Sequence, residues 1–145
     1  MNFDSIDILL IEDNPSDAEL TLNALSENHI TNRVRVLKDG AEALQYIFDA
    51  AADPSRSCPK VILLDLKLPK VSGLEILKRI KADERTRYIP VVVLTSSNEE
   101  RDRMDCYRLG VNSYIVKPVE FDAFARSVVE IGYYWTILNK PFCSP

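Results

Sequence analysis

Histidine occurs once in the sequence, as His29, in a polar loop sequence away from every expected strand end. Chemistry built on a histidine base or nucleophile therefore has no residue to rest on. Cysteine is scarce as well. Cys58, Cys106 and Cys143 make an odd count with no C-x-x-C pair, which argues against a zinc site and a disulfide framework and fits reduced thiols in a cytoplasm. No apolar run approaches the length of a membrane span. Ile8-Leu9-Leu10-Ile11 is too short even for a signal-peptide core, and Met1 to Ser5 ahead of it carries no basic residue. A basic excess is missing too: 18 Lys+Arg stand against 22 Asp+Glu, a net charge of -4, the wrong sign for a protein whose main business is nucleic acid. There are no internal repeats and no low-complexity tract. No Ser/Thr/Gly-rich phosphate loop follows the first apolar run, which argues against a flavin-binding module.

What is present is enough chain for one globular domain with one continuous core: 145 residues, 46% hydrophobic and 28% charged. Short apolar runs alternate with helical periods. The runs are Ile8 to Ile11, Arg33 to Leu37 (Val34 and Val36 on one side), Val61 to Leu64, Val91 to Leu94, and Tyr114 to Val116. Continuous runs of this kind suit strands buried on both faces. Between them, Ala18, Leu22 and Leu25 fall at helical spacing, as do Leu44, Ile47 and Phe48, and Gly73, Leu77 and Ile80. Asn14-Pro15 marks one helix start, and Ser72 with Glu75 forms a capping box at another. The alternation predicts a parallel α/β sheet covered by helices on both faces. Asp49 to Lys60, with two prolines, reads as a surface loop.

The last helix is expected to be long, from Glu120 to about Asn139, stopped by Pro141. One apolar stripe comprises Phe121, Phe124, Ala125, Val128, Trp135 and Leu138. A second comprises Val129, Tyr133 and Ile137, with Tyr134 beside it. A single sheet covers one stripe, so the second points to a homodimer interface.

In an open parallel sheet, ligands bind beyond the carboxyl ends of the strands. The first strand delivers Glu12-Asp13 there, the third Asp65, the fourth Thr95 and the fifth Lys117-Pro118. Three carboxylates in one cleft repel one another, so either their pKa values rise or a cation neutralises them. An all-oxygen site with few protein ligands suits Mg2+. The set fits phosphoryl transfer to a carboxylate: an ionised Asp is already a nucleophile, and the ammonium and hydroxyl can bond the phosphoryl oxygens. Each residue alone has an ordinary explanation. Glu12-Asp13 can end a strand and cap a helix, Asp65 can serve a turn, Thr95 can cap a loop, and Lys117 can be a surface cation. Four separate strand ends sharing one rim make those explanations weak together.

The same residues resemble a response-regulator receiver domain. The matching pieces are Leu10-Ile11-Glu12-Asp13-Asn14, Leu64-Asp65-Leu66-Lys67-Leu68-Pro69 with Gly73, Leu94-Thr95-Ser96, and Gly110 through Pro118. The match spans about residues 5 to 135, in one receiver domain covering 1–145 with a C-terminal extension from 136 and no output domain. The resemblance implies a flavodoxin-like three-layer αβα sandwich with strand order 2-1-3-4-5 and an extended C-terminal helix. It implies that Asp65 accepts a phosphoryl group from a sensor histidine kinase. Asp13 would bind Mg2+ directly, Glu12 through water, and Lys67 through its main-chain carbonyl. Thr95 and Tyr114 would form the switch, read out on the face of helix 4, strand 5 and helix 5. Lys67 and Ser97 would tune the lifetime of the phosphoryl group, and the Lys117–Pro118 peptide would be cis. The Asp49 to Lys60 segment, the loop from Thr95 to Asp102 and the ending Tyr134 to Pro141 are similar to single-domain response regulators of cyanobacterial phytochromes. That likeness implies a bilin-binding partner kinase and a homodimer.

Two other functions compete. A magnesium-dependent phosphatase with an Asp nucleophile would place a second Asp two positions on, where this chain has Lys67. A constitutive interaction module would not need the complete residue set. The chain is therefore expected to be a cytoplasmic phosphoacceptor rather than a turnover enzyme, with no nucleic-acid or membrane partner.

Overall fold

The computed structural model describes residues 6–30, 33–56 and 58–142; the N-terminal pentapeptide and Cys143 lie outside them. Five strands alternate with five helices: β1 (Ile8–Ile11), α1 (Pro15–Glu27), β2 (Val34–Leu37), α2 (Gly40–Ala52), β3 (Val61–Leu64), α3 (Gly73–Ala82), β4 (Val91–Thr95), α4 (Glu100–Arg108), β5 (Ser113–Val116) and α5 (Phe121–Tyr133). A π-helical turn, Tyr134–Leu138, follows. All strand pairs are parallel, in the order β2-β1-β3-β4-β5. That is the expected doubly wound sheet.

The apolar runs split by parity. Leu9, Ile11, Ile62, Leu64, Val91 and Val93 join α2, α3 and α4 in one core, while Ile8, Leu10, Val61, Leu63, Val92 and Leu94 join α1 and α5 in the other. Burial on both faces is why the central strands are apolar at every position rather than alternating. Local signals act as read. Asn14 Oδ1 accepts the N–H groups of Ser16 and Asp17, and Ser72 Oγ accepts that of Glu75, so both helices start where orphan donors find an acceptor.

Four expectations are corrected. The segment from Asp49 is not all loop: α2 runs on through Ala50-Ala51-Ala52 before Asp53 ends it, because alanine carries the highest helix propensity. In α1, Leu22 is exposed; Thr21 and Ala24 are buried instead, and the Thr21 hydroxyl is satisfied by the Asp17 carbonyl at 2.8 Å. The final helix widens into its π turn after Tyr133, where the Asn139 N–H reaches the Tyr134 carbonyl at 2.7 Å. Its first stripe also covers less than expected. Phe124 and Val128 are buried, but Phe121 and Leu138 are exposed, since they sit beyond the span where α5 lies over α1 and the sheet. Gly132 marks the closest approach of those helices: a Cβ there would meet Leu25 Cδ2 at 2.6 Å.

Candidate functional site

Every strand that was expected to deliver a reactive group ends at the same edge. Glu12 follows β1, and its N–H donates to the Leu37 carbonyl at 3.0 Å. Its side chain is buried, with Oε2 accepting the Asn14 N–H at 3.2 Å. Asp65 follows β3, tied to β1 by its N–H on the Ile11 carbonyl at 3.1 Å. The Leu66 N–H donates to Asp65 Oδ1 at 2.7 Å, a buried bond that fixes the carboxylate plane. Gly73 makes this turn possible. A Cβ there would lie 2.1 Å from the Asp65 carbonyl oxygen and 2.6 Å from Leu66 Cα, so only glycine lets α3 start against the strand end.

Carboxylate oxygens of Glu12, Asp13 and Asp65 lie within 4.8 Å of one another. Glu12 and Asp65 are buried and Asp13 is exposed. The Lys117 N–H donates to the Thr95 carbonyl at 2.7 Å, which registers β5 against β4. Its ammonium then reaches across the edge to Glu12 Oε1 at 2.5 Å, Asp17 Oδ2 at 2.8 Å and Asp65 Oδ2 at 3.1 Å. It does so with a trans Lys117–Pro118 peptide, since no cis bond occurs among the described residues. The expected cis turn is thus corrected: the long lysine stem alone spans the distance.

Electrostatics follow from burial. Loss of hydration pushes the Glu12 carboxyl up to about 7; the Lys117 hydrogen bond opposes this and the neighbouring Asp65 charge adds to it. Burial would depress Lys117, but the hydrogen bonds it donates to Asp17 and Glu12 and the Asp65 charge outweigh it and hold the ammonium above its ordinary value. A buried network of this kind adds little net stability, because desolvation offsets attraction. Its consequence is a fixed geometry in which anions and one cation face a common point.

The remaining expected residues lie on the loop after β3, on β4 and its following loop, on β5, and on α5 with its π turn. Thr95, the last residue of β4, is fully buried, and its Oγ1 accepts the Ser97 N–H at 3.3 Å. The Ser97 hydroxyl donates to Asp102 Oδ2 at 2.5 Å, which ties the loop to α4. Tyr114 is half-buried, and its hydroxyl donates to the Ser97 carbonyl at 2.9 Å; burial raises its pKa. Lys67 is exposed on the loop after β3. The dimer candidates divide. Tyr133, Tyr134 and Ile137 are each about half exposed, whereas Val129 packs on the α1–α5 core.

Asp17 is the site residue that the sequence reading missed. It lies on the first turn of α1, not at a strand end. Only the helix cap at Asn14, which faces that turn toward the edge, hinted at it.

Known proteins resemble this chain in sequence and in fold. A sequence profile of the response regulator receiver domain matches residues 8–129. The probable methanogenesis regulatory protein FilR2 of Methanothrix harundinacea is 45% identical over 133 residues, covering 92% of this chain and 85% of its own. The response regulator Rcp1 of Synechocystis sp. is 36% identical over 128 residues, covering 88% and 87%; its Mn2+-bound crystal structure superposes with a TM-score of 0.84 at 34% identity, covering 92% and 96%. The phosphorylated cyanobacterial phytochrome response regulator RcpA superposes with a TM-score of 0.86 at 37% identity, covering 93% and 96%.

Proposed function

The chain belongs to the response regulator receiver domain family, and on that premise we propose that it is a phosphoacceptor switch in which Asp65 takes a phosphoryl group from the phosphohistidine of a sensor histidine kinase. The observation that carries this reading is the Lys117 ammonium held among Glu12, Asp17 and Asp65 at the carboxyl edge of the sheet. The ionised Asp65 carboxylate needs no base. One of its oxygens bonds to phosphorus, the P–N bond to the kinase imidazole breaks, and that electron pair stays on the imidazole nitrogen. Lys117 donates to one phosphoryl oxygen and the Thr95 hydroxyl to another, offsetting charge where it develops.

The donor set is all oxygen, with three carboxylates clustered, which fits Mg2+. Asp13 would bind it directly, Glu12 through water, and Lys67 through its main-chain carbonyl. A bound divalent ion supplies charge neutralisation to the carboxylates and to one transferred oxygen. Lys67 and Ser97 flank the phosphoryl position and set water access, hence its lifetime.

Readout runs through Thr95 and Tyr114. When Thr95 turns to the phosphoryl group, Tyr114 moves into the space and the α4–β5–α5 face changes. That face, with Val129, Tyr133, Tyr134 and Ile137, forms a homodimer. The likeness to Rcp1 and RcpA supports a bilin-bearing phytochrome as the partner kinase. Among the described residues no helix is long and apolar enough to cross a membrane, which supports a cytoplasmic site of action.

Incubation with phosphoramidate and Mg2+, followed by intact mass, tests the phosphoacceptor reading. One phosphoryl group on the wild type and none on Asp65→Asn is the expected result; equal labelling of both, or none of either, would overturn it. Phosphotransfer from a bilin-bearing histidine kinase in its two light states tests the partner: transfer that differs between the states supports it, and no transfer in either rejects it.

A further inference from the structure

An ammonium has three N–H donors and no acceptor. In Lys117 three carboxylates face them, and the three are not equivalent. Glu12 and Asp65 belong, with Asp13, to the cluster of oxygens that could hold a metal ion. Asp17 does not. The Lys117 side chain is 8% exposed, Glu12 4% and Asp65 10%, while Asp17 stands at the rim at 30%. Its place is set by α1: the cap on Asn14 binds the Asp17 N–H itself at 3.2 Å, so the side chain of the first turn meets the lysine from the helix side.

We propose that Asp17 is a positioning residue, the private counter-ion that keeps the Lys117 ammonium at the site when a divalent cation takes Glu12 and Asp65. The inference rests on the reading of residues 12, 13 and 65 as a divalent-metal site. A divalent ion and an ammonium drawn to the same two carboxylates repel each other, and at low local dielectric that repulsion is larger than in water. With Asp17 present the ammonium keeps a partner outside the metal cluster, and both cations are accommodated. Without it, the ammonium and the metal compete for Glu12 Oε1 and Asp65 Oδ2. Among the described residues the Lys117 ammonium bonds these three carboxylates and nothing else. Asp17 therefore acts on the metal through Lys117, which a double-mutant cycle can isolate.

The test is Mn2+ affinity, read from the paramagnetic resonance signal of the free ion, with no phosphodonor present. In the chain that keeps Lys117, Asp17→Asn and Asp17→Ser should each weaken Mn2+ binding about fivefold or more, and Asp17→Glu should keep wild-type affinity. In a Lys117→Met background, Asp17→Asn should change affinity by less than about twofold, because no ammonium remains to compete. Equal weakening in both backgrounds would reduce Asp17 to one more negative charge near the metal and overturn the proposal, as would no weakening in either. A wild-type chain that takes up no Mn2+ would overturn the metal-site reading beneath it, an outcome distinct from a missing coupling.

Discussion

Glu12 is the residue whose chemistry depends most on its surroundings. Burial pushes its carboxyl up to about 7, so below that pH it holds a proton and above it is an anion. A metal ion needs the anion, and binding must expel the proton. Divalent-metal affinity should therefore fall as pH drops through 7, by about tenfold between pH 8 and pH 6. Glu12→Gln should flatten that profile, and Mn2+ titration at the two pH values checks both. Thr95 is fully buried, and its hydroxyl is one of the two groups expected to donate a hydrogen bond to the phosphoryl oxygens. Thr95→Val should leave Asp65 able to take up phosphoryl from phosphoramidate yet abolish the shift of the Tyr114 ring resonances that accompanies it in the wild type. A shift of wild-type size in the variant would contradict the assigned switch.

At the scale of elements, the site depends on how closely α3 starts against β3. Gly73 has no room for a methyl group, with the Asp65 carbonyl 2.1 Å from a Cβ position. Gly73→Ala should destabilise the fold by about 1–3 kcal/mol through overpacking, seen as a lower melting temperature, and should slow Asp65 labelling as well. Loss of stability with an unchanged labelling rate would separate α3 placement from the site.

Elements also show what sequence could and could not reveal. Ile8 to Ile11, Val61 to Leu64 and Val91 to Leu94 are apolar at every position because helices cover both faces, so their nature was legible. Asn14 and Ser72 announced their helices through side chains that accept backbone donors. Leu22 has the right residue type and spacing for a core position, but α1 is rotated so that Thr21 and Ala24 face inward; the direction of a helix face is a tertiary fact. Asp17 was invisible for a related reason. Its partner lies 100 residues away, and nothing in a helix's first turn announces that a lysine from the last strand will arrive there. The cis turn expected at Pro118 is absent, and the peptide takes the trans form that an X–Pro bond ordinarily favours.

For the whole molecule, the carboxyl edge of the sheet gathers Glu12, Asp65 and Lys117, and the C-terminal segment is held elsewhere. Lys60, just before β3, donates to the Thr136 carbonyl at 3.4 Å, and Phe142 stacks on Tyr88 ahead of β4 with ring centroids 4.2 Å apart. Both contacts lie at the amino-terminal ends of the strands, opposite the site. Tyr133, Tyr134 and Ile137 remain about half exposed, as an apolar surface that a second copy would cover. Tyr133→Asp combined with Ile137→Asp should convert a dimer to a monomer in sedimentation at micromolar concentration while leaving the melting temperature within a few degrees. A wild-type chain that sediments as a monomer with and without phosphodonor would reject the dimer.

The most direct measurement follows the phosphoryl bond to its residue. The chain is labelled with phosphoramidate and Mg2+, reduced with borohydride, which converts an acyl phosphate to an alcohol, and mapped by tandem mass spectrometry. The predicted result is a reduced side chain at residue 65 that disappears when either the phosphodonor or Mg2+ is omitted. Reduction at another carboxylate, such as Asp13 or Asp17, or no reduced residue in a fully labelled sample, would contradict Asp65 as the acceptor.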